Sequence, residues 1–247
     1  AFGTGADASV RAKYGQLVRG YVELVSLPMR QEAEAVLRRD VRPGGSILIA
    51  GCGAGGEAIH LARGGYRVTG FDVLPAMVEA ARTVARDAGV EATFLEGDVV
   101  TCDLTPRRFD AIYFTPMLYS FVAGHARRRA ALARAGHHLE RQGFVLFTAH
   151  LARTTGEWLE QAIAWTARRV RRGRCELGDW YTAFLTPRGR LARSYVHRGS
   201  AREARRAARE AGFRRVDRVG AAHFVAGEFA PSGSQEAEAA SMPGQKS

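Results

Sequence analysis

Val10, Tyr14, Leu17, Val18, Tyr21 and Val25 recur at three- and four-residue steps, which predicts an amphipathic helix stopping before Pro28. A second helix is expected over roughly 29–39, ended by Pro43-Gly44-Gly45. The period then changes. Ser46-Ile47-Leu48-Ile49-Ala50 is a short continuous apolar run and predicts a strand buried on both faces. Similar runs at 66–72, 92–96, 109–114 and 144–149 alternate with helical patterns at about 55–64, 75–88 and 124–141. Apolar strands alternating with helices predict an α/β fold, a parallel sheet covered on both faces. The order ends differently. A helix at 200–211 is followed by two strands, 213–219 and 223–229, across a Gly-Ala-Ala turn, the pattern of a terminal hairpin. Residues 230–247 are mostly Ala, Ser, Gly, Pro and Glu and are expected to form a flexible tail. No internal repeat appears.

Length and composition keep this picture. The chain has 247 residues, 46% hydrophobic and 25% charged, enough for one large domain with a core that needs no staples. No apolar run is long enough to span a bilayer and no basic-then-apolar leader opens the sequence, so no membrane partner is expected. The three cysteines, Cys52, Cys102 and Cys175, match no zinc spacing, and a cytoplasmic protein with reduced thiols is expected.

Charge changes the picture more. The formal net charge is +11, and nearly every positive charge is Arg, with Lys only at positions 13 and 246. Asn is absent, a composition expected of a GC-rich genome. Residues 125–215 carry the excess, with 21 Arg against 7 acids. Arg168, Arg169, Arg171, Arg172 and Arg174 form a run. Arg202, Arg205, Arg206 and Arg209 share one helix face, with Glu203 within reach of Arg206. No aromatic residues interleave with these runs and no RNA-binding module is attached. A solvated face is therefore expected, and a nucleic-acid partner is disfavoured though not eliminated.

The chemistry is concentrated at successive strand ends. Gly51-Cys52-Gly53-Ala54-Gly55-Gly56 follows the first strand and opens a helix, where backbone approaches a ligand closely and free N–H groups point outward. Asp72 ends the next strand, 21 residues after Gly51, where a carboxylate accepts the hydroxyls of a ribose. Asp98 ends the third, within Leu95-Glu96-Gly97-Asp98-Val99, placed to read an adenine edge. Together these predict an adenosine-containing ligand.

At this point the chain resembles the class I S-adenosylmethionine-dependent methyltransferases. The residues that carry the resemblance are Ile47 to Gly55, Val68-Thr69-Gly70-Phe71-Asp72, Glu96-Gly97-Asp98 and Phe109-Asp110-Ala111-Ile112. It implies a doubly wound, mostly parallel seven-stranded sheet with an antiparallel last strand. The N-terminal helices (1–41) would lie over the cofactor site. The Rossmann-like domain would occupy 42–229, with a cap insertion at about 150–198. The implied cofactor is S-adenosyl-L-methionine, leaving S-adenosyl-L-homocysteine. Gly51, Cys52, Gly53 and Gly55 would lie under its methionine part, Asp72 at the ribose, and Asp98 with Val99 at the adenine. Leu74 and Met77 would pack on the adenine, with Val73, Phe114 and Tyr14 completing the cofactor pocket. Two helices before the glycine strand disfavour a nicotinamide enzyme; an aminopropyltransferase stays open.

The acceptor should lie beyond the fourth strand, near Met117 and Tyr119. The Phe114-Thr115-Pro116-Met117 stretch departs from the Asn/Asp-Pro-Pro-aromatic pattern of enzymes that methylate exocyclic amines of DNA. No carboxylate cluster points to a metal. His150, just after the fifth strand, is the candidate general base for a hydroxyl acceptor, and His125 is a second polar candidate. Trp180, Tyr181, Tyr195 and His197 are candidates to box a flat or cationic substrate. His137 and His138 read as exposed helix residues. The reading is methyl transfer to an N or O atom of a small-molecule acceptor by a monomer or homodimer. An RNA or protein methyltransferase docking through the Arg-rich half, and a non-catalytic cofactor-binding subunit, remain as alternatives.

Overall fold

In the computed structural model, the described residues are 2–231, excluding Leu24, Ser26, Arg153, Thr155, Trp158, Gln161, Ala164, 167–175, 186–188 and Arg190. The expected arginine run at 168–174, Cys175 and nearly all of the expected tail lie outside them.

Five parallel strands form the centre of the sheet: β1 (Ser46–Ala50), β2 (Arg67–Asp72), β3 (Thr93–Glu96), β4 (Phe109–Phe114) and β5 (Leu139–Thr148). The chain returns through β8 (Phe213–Val219) and β9 (His223–Phe229), and β9 inserts antiparallel between β5 and β8. The order is β3-β2-β1-β4-β5-β9-β8, the seven-stranded arrangement the resemblance implies. The remaining strands, β6 (Asp179–Leu185) and β7 (Leu191–His197), form a separate antiparallel pair.

Alternation along β1 explains both cores. Ile47 and Ile49 face α3 (Gln31–Asp40), α4 (Gly56–Arg63) and α5 (Pro75–Asp87). Leu48 and Ala50 face the opposite side, whose core includes residues of the short α6 (Leu118–Phe121), α7 (His125–His137) and α8 (Ala201–Glu210). On α8 the small face, Ala204, Ala207 and Ala208, is buried against the sheet, while Arg202, Arg206 and Arg209 are exposed, so this helix is amphipathic.

Three expectations change. The first predicted helix is two pieces, α1 (Phe2–Gly15) and α2 (Val18–Glu23). The helix predicted to reach 141 ends at His137, because Leu139 already pairs with Phe109 and a bulge separates that pair from Ala111↔Phe144. The polar Glu140-Arg141-Gln142 stretch is an exposed strand segment that reads as helix in sequence. His138 is buried, its Nε2 accepting from Leu104 N at 3.4 Å, whereas His137 is exposed as expected.

Candidate active site

The carboxyl ends of β1, β2 and β4 meet at the glycine loop. Gly51 and Cys52 both donate their N–H to the Phe71 carbonyl at 2.9 Å, and Gly53 N donates to Asp72 Oδ2 at 3.0 Å. Thr115 Oγ1 donates to the Gly51 carbonyl at 2.8 Å, which ties the end of β4 to the same turn. Gly51 has φ +69°, and a Cβ there would press on Thr115 and Leu118 side chains, so the turn requires glycine. Gly55, at φ +91°, has a different role: a Cβ there would meet Ala81 Cβ at 3.1 Å, so it lets α4 approach α5.

Above this floor is a two-lobed cavity. The larger lobe, about 480 Å³, has Cys52, Gly53, Leu74, Met77, Tyr14 and Tyr21 among its lining residues. The smaller, about 90 Å³, is bounded by Gly97, Asp98, Val99 and Val100. Gly51, Asp72 and Val73 belong to both. Asp72 also accepts from Leu74 N at 3.0 Å; burial nevertheless raises its carboxyl pKa, with the backbone donors only partly offsetting that. The Asp98 carboxylate accepts from Val100 N at 2.9 Å and faces Arg11 at 3.2 Å, so α1 closes over the smaller lobe. Asp7 and Arg127 pair beside it. Tyr14, Tyr21 and Phe121 meet edge-on, with Tyr14 5.4 Å from Tyr21 and 5.5 Å from Phe121, and roof the larger lobe.

Most expected cofactor residues line this cavity. Gly55 and Phe114 do not: Gly55 is spent on helix packing, and Phe114 points into the sheet core at 1% exposure. Leu74 and Met77 line the larger lobe, which Asp98 does not reach. Arg11, Arg30, Glu57 and Phe121 line it without having been singled out from sequence. Glu57 alone carried a signal, its place one residue past the glycine loop.

The expected acceptor residues lie outside this cavity. Trp180, Tyr181, Tyr195, His197, His125, Met117, Tyr119 and His150 line neither lobe. Tyr195 and His197 stand two apart on β7, on the face turned inward, and are 1% and 2% exposed. Tyr195 Oη donates to Asp179 Oδ1 at 2.7 Å, and its N–H donates to Ser9 Oγ on α1. His197 Nδ1 lies 3.2 Å from Asp179 and Nε2 lies 2.8 Å from Glu203. Glu203, expected to meet Arg206, turns inward instead to Arg128, 3.1 Å away, and Arg128 also pairs with Glu176 at 2.7 Å. The Arg128 side chain is fully buried beneath the Tyr119 ring. Burial alone would lower the His197 pKa, but its bonds to Asp179 and Glu203 outweigh that and raise it. Glu176, Asp179 and His197 have ligand atoms within 4.8 Å of one another. Both His197 nitrogens are engaged and the Arg128 guanidinium supplies the positive charge, so the set holds a cation already. His150 is held by its backbone, its N–H donating to Ser120 Oγ and its carbonyl accepting from Gly199. The His125 ring pairs with Glu210 at 2.6 Å.

The sheet order with its reversed final strand, the glycine loop after β1 and the acids after β2 and β3 define a class I, S-adenosylmethionine-dependent methyltransferase fold. Residues 47–143 match the family described as methyltransferase domain. The chain is similar to the ubiquinone biosynthesis O-methyltransferase of Methylocella silvestris, 32% identical over 180 residues, covering 70% of this chain and 65% of that protein. It is also similar to that of Serratia proteamaculans, 32% identical over 115 residues, 46% of each chain. The chain thus spans about half to two thirds of the length of these curated relatives. Among solved structures it is similar to the DhpI-SAH complex, at TM-score 0.61 and 21% identity over 90% of this chain and 96% of that one. The sugar N-methyltransferase KedS8 from Streptoalloteichus gives TM-score 0.60 at 17% identity, covering 85% and 92%. These two likenesses are of fold. No described helix is long and apolar enough to cross a membrane.

The residues present fit the cofactor of this class. A glycine turn needing φ above zero, a half-buried carboxylate at its flank and a second carboxylate in an adjoining lobe suit a sulfonium nucleoside's tail, ribose and base.

Proposed function

We infer that this protein transfers a methyl group from S-adenosyl-L-methionine to an N or O atom of a small-molecule acceptor. The observation that carries this reading is the two-lobed cavity, in which Asp98, Asp72 and the glycine loop follow one another along the strand ends. The cofactor supplies an electrophilic methyl on a sulfonium. The protein's part is alignment of the in-line displacement, with the Tyr14–Tyr21–Phe121 roof excluding water. The lining of the larger lobe is mostly apolar, which suits a flat, weakly charged acceptor. The names of the relatives, a quinone-pathway O-methyltransferase and a sugar N-methyltransferase, are consistent with a small acceptor and leave its atom open.

No histidine lines either lobe among the described residues, and a neutral amine acceptor requires none. Isothermal titration with S-adenosylhomocysteine, with NAD as control, tests the reading. Micromolar binding of the former alone is expected. Binding of NAD alone would sink it, and steep loss of acceptor affinity between low and physiological salt would point instead to a nucleic-acid acceptor.

A further inference from the structure

The parallel sheet is hollowed at its other end too. At the amino ends of its strands, opposite the cofactor cavity, a concavity of about 650 Å³ is lined by Arg42, Arg67, Arg107, Arg108 and Arg141. It shares no residue with either lobe of that cavity, and along β1 the two sites lie about 13 Å apart. The bulge between β4 and β5 builds one wall. Asp110 alone separates Phe109 from Ala111, whereas residues 140–143 separate Leu139 from Phe144, so Glu140, Arg141 and Gln142 are pushed out into the lining. Gly143 brings the strand back, because a Cβ there would lie 2.9 Å from the Phe109 carbonyl oxygen. Two charged side chains are tied down by the protein itself. Arg108 Nη1 donates to the His137 and Leu139 carbonyls at 3.2 and 3.0 Å. Asp110 accepts from the Ser46 N–H at 2.7 Å and from its hydroxyl at 2.9 Å.

Positive charge is then left over. Arg42, Arg67, Arg107 and Arg141 are exposed, and none forms an ion pair with a described residue. Of the two acids in the lining, Asp110 is engaged by Ser46, which leaves Glu140 facing five guanidiniums. Like charges gathered on a concave wall reinforce one another's field and draw an anion. The neighbouring concavity across β2 and β3 differs. There Arg82 donates to the Phe94 carbonyl at 2.8 Å and pairs with Glu79, and Arg86 donates to Thr83. The uncommitted charge is therefore concentrated at one compact place and is not strung along the sheet. The aromatic residue in its lining, Phe109, is 3% exposed, so no ring is offered for a base to stack on. We propose that this concavity is a binding site for a compact multivalent anion of the oligophosphate class. Guanidinium forks engage phosphate oxygens in pairs, the volume is that of a small-ligand site, and Thr69 and Thr93 belong to the lining. The phosphates of a nucleotide and those of an inorganic chain present this same chemistry.

The test is calorimetric titration at physiological ionic strength with inorganic tripolyphosphate, ATP and a single-stranded RNA. Three proteins are compared: wild type, the double variant Arg42→Gln with Arg141→Gln, and a control, Arg202→Gln with Arg206→Gln, on the exposed face of α8. Wild type should bind tripolyphosphate. The first double variant should bind it about tenfold or more weakly, through lost charged hydrogen bonds, while the α8 control stays within about twofold. ATP bound as tightly as tripolyphosphate would make nucleotide phosphates the ligand, and ATP bound more weakly would make it a bare phosphate chain; either supports the site. No binding of tripolyphosphate by wild type at millimolar concentration would overturn it. Equal losses in both double variants would also overturn it, since attraction would then come from the net charge of the whole molecule. RNA bound more tightly than tripolyphosphate, and weakened by both double variants, would replace the compact site with an extended nucleic-acid track.

Discussion

The cavity at the strand ends and the network beneath β6–β7 both set carboxylates among arginines, and they treat the carboxylates in opposite ways. In the network every charge meets another: Arg128 spans Glu176 and Glu203, and His197 spans Asp179 and Glu203. Burial pushes the Asp179 and Glu203 pKa values up, but their partners outweigh it, so both carboxyls lie below their ordinary values. In the cavity burial prevails instead, and the pKa values of Asp72 and Glu57 are raised. A carboxylate left under-compensated in a concave site marks a place for a ligand, whereas a closed set of charges marks a joint between elements. Here the joint fastens the β6–β7 pair to α7 and α8, and α1 is fastened to it in turn through Ser9 and Tyr195. The helix α1, which lines the cavity through Val10 and Arg11, is thus held by residues that do not line it.

The sharpest way to break the contrast is to remove the centre of the joint. Arg128→Ala leaves Glu176 and Glu203 without their counter-charge and should destabilise the protein by about 3–5 kcal/mol in urea denaturation. A loss below about 1 kcal/mol would mean that the network is incidental.

On the cavity side the effect should fall on binding rather than on stability. Asp72→Ala should weaken S-adenosylhomocysteine binding by about 1.5–3 kcal/mol in calorimetry, with a much smaller change in melting temperature than Arg128→Ala. Unchanged affinity would remove the ribose role.

A smaller effect separates the two regions by pH. The folded pKa of His197 is raised, so its contribution is complete below its ordinary value of about 6.5 and is lost as pH rises through the folded value. Asp179 and Glu203 are lowered, so their contributions are present above about pH 4 and are lost as acid takes the pH through their folded values. The joint is therefore strongest between about pH 4 and 6.5. Wild-type melting temperature should decline from mildly acidic to alkaline pH more steeply than that of His197→Gln, and parallel curves would refute the bridge.

The smallest expected effect is at His150, which lies off both lobes. His150→Ala should change kcat/KM by no more than about threefold; a drop of a hundredfold or more would restore it as general base.

How much of this was legible in the sequence depends on the range over which each feature is encoded. The strand runs, the glycine turn and the acids at 72 and 98 are local patterns, readable because backbone geometry and strand period fix where a few consecutive residues point. The helix end near 137 is not legible in the sequence because Glu140-Arg141-Gln142 is polar in either conformation, and only the pairing of Leu139 with Phe109 decides for strand. Tyr195 and His197 carry the right chemistry for a substrate box, and nothing local says that their face of β7 turns towards α1, α7 and α8.

By itself, then, the sequence determined the α/β alternation, the place of the glycine loop and the two acids that flank it, because each rests on contacts between near neighbours. Only the tertiary structure decided which charges are closed and which are open. Glu203 and Glu57 are each a glutamate in the first turn of a helix, and the difference between a closed joint and an open cavity wall lies in whether groups such as Arg128 and His197, 75 and 6 residues from Glu203, arrive to meet the carboxylate. Charge compensation in a protein interior depends on what folding brings within hydrogen-bonding distance, and that is a property of the packed chain.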